Sequence, residues 1–137
     1  MSQYRIRLVE KDDQRLWDSY VLSHENAGPY HLFSWKLAIE HSYQHKGYYI
    51  LCEDKKGSVA GIFPLILIKP PLLKGILVSL PFCDYGGALS SEPQAMEELY
   101  RYAIQLAEAK RSRIEVRCKH RHDILKDACG LREASSK

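Results

Sequence analysis

Three stretches of this chain concentrate groups that do chemistry. The first is Ser79-Leu80-Pro81-Phe82-Cys83-Asp84-Tyr85-Gly86-Gly87-Ala88. Asp84 offers an acceptor and a base, and Tyr85 offers a phenol. Gly86 and Gly87 let the backbone turn sharply and come close to a ligand. The glycine spacing is neither GxGxxG nor a Walker loop with its lysine, so a nucleotide-phosphate cradle is not indicated. The plainer alternative is a turn capped by Asp84 with Tyr85 packed as a lid. The second stretch is Tyr30-His31-Leu32-Phe33-Ser34-Trp35. His31 there could move a proton or hold a carboxylate. Equally, it could hydrogen-bond the backbone while Trp35 fills the core. The third is Arg113 to Cys118, continuing into Lys119-His120-Arg121-His122. The planar fork of Arg117 suits a carboxylate or phosphate. Glu115 and Arg117 fall on one face of an alternating segment, so an internal pair between them is the plainer alternative.

Other chemistries lack their residues. His41 and His45 are four apart without an evident third ligand, so no metal site is expected. The four cysteines, Cys52, Cys83, Cys118 and Cys129, form no CxxC pair and read as reduced thiols. No serine–histidine–acid order stands out.

Hydrophobic periodicity supplies the elements that must position these groups. Tyr4 to Val9 reads as a strand, and Asp12 or Asp13 caps a helix running to about Ser23 with Leu16, Trp17, Tyr20 and Val21 on one side. Gly28-Pro29 breaks the chain. A second helix is expected to start at the N-cap Ser34 and fade near Tyr43, with Trp35, Ala38 and Ile39 inward. Strands follow at Tyr48–Cys52, Val59–Ile68 and Gly75–Leu80, the first two joined by the turn Asp54-Lys55-Lys56-Gly57. Pro64 lies inside the second of these and calls for an edge or a bulge, because it cannot donate to a ladder. Residues 81–93 read as loop and Glu92–Lys110 as a long helix at 3, 4 spacing. Arg113–Cys118 is a further strand. His122–Cys129 is a candidate short helix before a polar end.

The order β-α-α-β-β-β-α-β predicts an α/β layered domain with a mixed sheet. The loop from Leu80 to the long helix leaves the C-terminal end of a strand, where such sheets bind ligands. The backbone donors of that helix end favour an anionic group. The chain has 137 residues, which fits one domain. Its hydrophobic fraction of 45% and charged fraction of 27% are those of an ordinary globular protein, which argues against wholesale disorder. A net charge of +3 is too mild to indicate nucleic-acid binding without a concentrated patch. No apolar run reaches the length of a membrane helix and no export signal is evident, so a cytoplasmic location without a membrane span is expected.

Four blocks in order carry a family resemblance. They are Tyr30-His31-Leu32-Phe33-Ser34-Trp35, Gly61-Ile62-Phe63-Pro64-Leu65, Leu77-Val78-Ser79-Leu80-Pro81-Phe82-Cys83-Asp84-Tyr85-Gly86-Gly87 and Ile114-Glu115-Val116-Arg117. Together they resemble the FemAB-related acyltransferases, in the branch associated with exosortase and exopolysaccharide systems. The element order resembles the front part of the GCN5-related N-acyltransferase (GNAT) fold. The family's first block usually has a proline between the histidine and the tryptophan; Phe33-Ser34 stand there instead.

The resemblance implies transfer of an acyl or aminoacyl group to an amine, in cell-envelope, peptidoglycan or exopolysaccharide metabolism. It implies catalytic roles for His31, Asp84 and Glu115 and substrate-binding roles for Trp35, Tyr85, Gly86, Gly87 and Arg117. No resident cofactor is implied; the donor is open between acyl-coenzyme A and aminoacyl-tRNA. For a tRNA donor the basic patch would be Lys110, Arg111, Arg113, Arg117, Lys119 and Arg121. FemAB-related chains are usually more than twice as long, so residues 1–137 are expected to form one N-terminal lobe with a polar stretch at 119–137. The strand at Arg113–Cys118 would then end the sheet as an exposed edge, to be met by a C-terminal lobe or a second copy of the chain. The alternative is a non-catalytic binding domain derived from a truncated acyltransferase.

Overall fold

A computed structural model describes residues 3–24, 27–28, 31–69, 71–79, 87–116 and 132–133. Its elements are β1 (Arg5–Leu8), α1 (Gln14–Ser23, entered through a 3-10 turn at Lys11–Asp13), α2 (Phe33–Tyr43), β2 (Lys46–Glu53), β3 (Val59–Ile68), β4 (Ile76–Ser79), α3 (Pro93–Ala109), β5 (Arg113–Val116) and β6 (Arg132–Glu133). The six strands lie in the order β1-β2-β3-β4-β5-β6. Pairing is antiparallel from β1 to β4 and parallel from β4 through β6. This is the expected α/β order with a mixed sheet.

Alternation along β2 and β3 sends side chains to both faces, and both faces are covered. Tyr48, Ile50, Cys52, Phe63 and Leu65 pack with Leu99, Tyr100 and Ala103 of α3. Tyr49, Leu51, Ile62 and Ile66 pack with Trp17 and Val21 of α1 and with Phe33 and Ile39 of α2. Burial on both faces is why β3 reads as an unbroken apolar run. Gly61 makes the α3 side close, since a Cβ there would meet Leu99 Cδ1 at 2.8 Å and the Leu89 carbonyl at 3.0 Å.

Several local expectations are corrected. Helix α2 starts at Phe33, with Leu32 rather than Ser34 as its N-cap. The first-turn donor finds its acceptor elsewhere: the Phe33 N–H donates to Asp18 Oδ1 of α1 at 2.8 Å. Ala38 is exposed, and the inward positions of α2 are Phe33 and Ile39. Strand β5 does not end the sheet, because β6 pairs beyond it at Glu115↔Arg132 and Val116↔Glu133. The candidate helix at His122–Cys129 lies outside the described residues.

Pro64 sits in a central strand, and the pairing geometry explains how. Ile62 directs both its N–H and its carbonyl toward Leu89, at 2.9 and 2.8 Å, on the β4 side. Two residues on, the missing N–H of Pro64 points the same way. That direction is away from β2, so the β2–β3 ladder loses no donor at Pro64. Leu89 pairs with β3 on this side, at the bridge Ile62↔Leu89.

Candidate functional site

The C-terminal ends of the parallel strands β4 and β5 point the same way. Ser79, fully buried, closes β4, and the Gly86-Gly87 stretch follows it. Of that stretch Gly87 onward is described; Asp84, Tyr85 and Gly86 lie outside the described residues, as does Arg117.

His31 reaches Gly87. Its Nε2 lies 3.3 Å from the Gly87 carbonyl oxygen. On the other side of the ring, the Gly28 N–H donates to Nδ1 at 3.1 Å. An acceptor at Nδ1 and a carbonyl at Nε2 call for the neutral tautomer with its proton on Nε2. The side chain is 3% exposed, and burial pushes its pKa below the ordinary histidine value. The His31 carbonyl is itself held by the Trp17 indole N–H at 2.6 Å. Trp17 stacks at 4.8 Å from the Tyr49 ring and meets Phe33 edge-on at 6.4 Å. An aromatic wall thus fixes the backbone of His31, and His31 fixes Gly87. The peptides are trans, so the Ala88 N–H points away from the histidine.

Trp35 is half-buried and packs against the α1–α2 side of the core. Its backbone N–H donates to the Leu32 carbonyl at 3.0 Å. Glu115 lies beside Val78 in the ladder, on the same sheet face as Ile66. Its Oε1 is 3.6 Å from Arg113 Nη2, so its described charge partner is the arginine two residues before it. Among the described residues no hydrogen bond or ion pair joins Glu115 to His31.

The structure therefore brings together the first block and the glycine loop, the latter through Gly87. Two open grooves, of about 330 and 430 Å³, lie elsewhere: one beside Tyr4, Arg5 and Glu53, the other along Ile6, Glu97, Glu98 and Arg101. Neither is lined by a catalytic or binding residue expected from the sequence.

The N-terminus of α3 carries a carboxylate of its own. Glu92 is the N-cap, followed by Pro93, and the Tyr4 hydroxyl donates to its Oε1 at 2.6 Å. This contact is the main reason the Tyr4 phenol is pushed up to about 12. Ser90 anchors the returning loop, donating from Oγ to the Ala60 carbonyl at 2.6 Å and accepting the Glu92 N–H at 3.0 Å. Sequence reasoning assigned no site role to Ser90 or Asp18, and placed Trp17 only on the inward side of the first helix. A serine shortly before a helix-starting proline, and an indole needing a buried acceptor, were the available signals. Asp18 gave none, because it caps a helix other than its own.

Cys52 is wholly buried, and desolvation pushes its thiol up to about 12, so it packs as an inert side chain. Cys83, Cys118 and Cys129 lie outside the described residues.

No family model matches the chain, and no curated protein matches it. Solved structures do. FemX is similar at 20% identity with a TM-score of 0.61, over 79% of this chain and 25% of that one. Glucosamine-6-phosphate N-acetyltransferase from Arabidopsis thaliana is similar at 14% identity with a TM-score of 0.65, over 99% of this chain and 96% of that one. A GNAT-family acetyltransferase from Staphylococcus aureus Mu50 matches at 13% identity with a TM-score of 0.51, over 81% of this chain and 70% of that one. The chain thus spans about a quarter of the length of FemX. At these identities the likeness establishes the fold, which is that of the GNAT-type N-acyltransferases.

Proposed function

We propose that this chain is an N-acyltransferase domain that moves an acyl or aminoacyl group from a thioester or ester donor to an amine. The observation that carries the reading is the His31–Gly87 hydrogen bond, made two residues before the bridge of Leu89 to Ile62. It ties the aromatic–histidine block to the glycine loop at the strand ends where α/β sheets hold ligands. The fold supports the same reading.

In this reaction the amine lone pair attacks the acyl carbonyl carbon. A C–N bond forms and the C–S or C–O bond to the donor breaks. The proton lost by the amine passes to a base, and the leaving thiol or hydroxyl takes one up. Asp84 is the base we favour, with Glu115 as the second candidate. In this reading the backbone N–H groups of Gly86 and Gly87 donate to the developing oxyanion. His31 acts here as a positioning residue, since both ring nitrogens are engaged by backbone groups. Trp35, Tyr85 and Arg117 bind substrate, the arginine through an acidic group. The donor is acyl-coenzyme A or aminoacyl-tRNA, which places the reaction in the cytoplasm. The acceptor is an amine of a cell-envelope or exopolysaccharide precursor.

The test is transfer of labelled acyl groups from acyl-coenzyme A and from charged tRNA to a panel of amines, followed by mass spectrometry. Transfer lost in Asp84→Asn supports the reading; unchanged transfer in that variant removes Asp84 as proton carrier. Binding of donor or acceptor with no transfer from either donor would favour the non-catalytic binding domain.

A further inference from the structure

The end of the sheet remote from Gly87 carries an apolar point ringed by cations. Pro71–Lys74 turn the chain from β3 into β4. Leu72 is 104% exposed and Leu73 65%, adjacent large aliphatic groups that folding leaves in water. Leu72 is also held at φ 66°, the left-handed region that strains a leucine. A side chain that buries nothing gains nothing from that strain within the fold.

Six cations surround this point. Lys69 and Lys74 flank the turn and are exposed. The Arg113 N–H donates to the Gly75 carbonyl at 3.0 Å, which docks the end of α3 against the base of the turn. A Cβ on Gly75 would lie 2.8 Å from Ser112 Oγ, so the approach is close. That junction brings exposed Lys110, Arg111 and Arg113. Lys46, opposite Leu67 in the ladder, completes the set. Lys46 Nζ and Lys110 Nζ both lie over the Tyr48 ring, at 5.4 and 5.0 Å from its centre. The neighbouring carboxylates are Glu40, paired with Lys36, Glu115, paired with Arg113, and Glu108, so cations are in excess.

We propose that this end of the molecule docks on the surface of an anionic phospholipid bilayer. Leu72 and Leu73 enter the boundary between headgroups and acyl chains, and the six cations meet lipid phosphates. Aliphatic tips framed by lysines favour a bilayer over nucleic acid, whose unpaired bases call for aromatic platforms. Lysine stems lie along the apolar zone while their ammonium groups stay at the phosphates. This surface is independent of the acyl-transfer reading.

The test is co-sedimentation of the full chain with phosphatidylcholine vesicles, with and without phosphatidylglycerol, at low and high salt. Binding is expected to the anionic vesicles alone and to weaken with salt. The pair Leu72→Ser and Leu73→Ser should weaken it about tenfold or more. Lys69→Gln and Lys74→Gln should each weaken it roughly fivefold. Leu22→Ser, at a leucine 79% exposed on α1, should leave it unchanged. Leu72→Gly separates docking from folding: it relieves the left-handed strain, so its melting temperature should rise while its vesicle binding falls. No sedimentation with anionic vesicles overturns the proposal. So does equal binding to neutral ones, or wild-type binding by the double serine variant. If tRNA displaces the vesicles and binds the double serine variant as tightly as the parent, the surface is for nucleic acid and the proposal fails.

Discussion

His31 spans two separate pieces of backbone, and its burial makes that link sensitive to pH. The folded protein holds the ring neutral, with its pKa below 6.5. Above that value the ring is neutral in both states and its contribution to stability is fully present. As the pH falls through 6.5 the unfolded chain takes up a proton that the folded chain does not, so stability is lost. Urea unfolding across this range should show a steeper acid loss in the parent than in His31→Gln; equal slopes would remove the claim. His31→Phe keeps the bulk but leaves the Gly28 N–H and the Gly87 carbonyl without the ring. It should cost about 2–4 kcal/mol at neutral pH. The motif blocks in the sequence marked His31, yet the choice between proton carrier and backbone clamp was not legible there. It depends on Gly87, 56 residues away, meeting Nε2.

Elements are held in place by contacts that cross between them. Asp18 of α1 accepts the first-turn N–H of α2, so Asp18→Ala should cost about 1 kcal/mol by chemical denaturation, and Asp18→Asn less. Arg7 of β1 grips Asp13 through two nitrogens, at 2.7 and 2.9 Å, and Glu53 at 3.1 Å. That grip holds the Asp13 carboxyl below its usual range. Its contribution is fully present above 3.8 and is lost as the pH falls below that value. Arg7→Met should cost about 1–2 kcal/mol at neutral pH, with the difference from the parent shrinking in acid. Gly61 sets the spacing of α3, and Gly61→Ala should cost about 1–3 kcal/mol because the Leu89 carbonyl beside it is backbone and yields little. A small change in melting temperature for that variant would mean that β3 and α3 can separate more freely than their packing indicates. The elements themselves were readable because amphipathic periods survive in α1, α3 and β5. The start of α2 was misplaced by two residues because its cap comes from another helix.

Across the whole molecule, the two proposals fall at opposite ends of the sheet. Ser79 and Val116 close the parallel strands at the end near Gly87, and Ile76 and Arg113 begin them at the end near Leu72. The four residues of β4 separate these ends by about 10 Å. Docking at the leucine end leaves the other end facing away from the bilayer. The double variant Leu72→Ser and Leu73→Ser should therefore keep the parent rate of acyl transfer to a soluble amine; a large loss of rate would mean that the two ends are coupled. Half of the basic patch expected from sequence lies within the described residues. Lys110, Arg111 and Arg113 gather at the start of β5, remote from Gly87, while Arg117, Lys119 and Arg121 lie outside the described residues.

Composition and periodicity determined the order of elements and the mixed sheet, because both depend on local patterns of apolar side chains. The element order also pointed to the GNAT-type fold that the structure displays, while the FemAB likeness rests on the four motif blocks. Tertiary structure alone decided what those blocks touch. Pro64 sits in a central strand with its missing N–H turned away from β2, and His31 is a clamp because a distant carbonyl faces its ring. Two leucines stand in water because the turn that carries them leaves the core behind. Each is a meeting, or a failure to meet, between residues far apart in the chain. Local propensity carries no record of such encounters; only the folded geometry does.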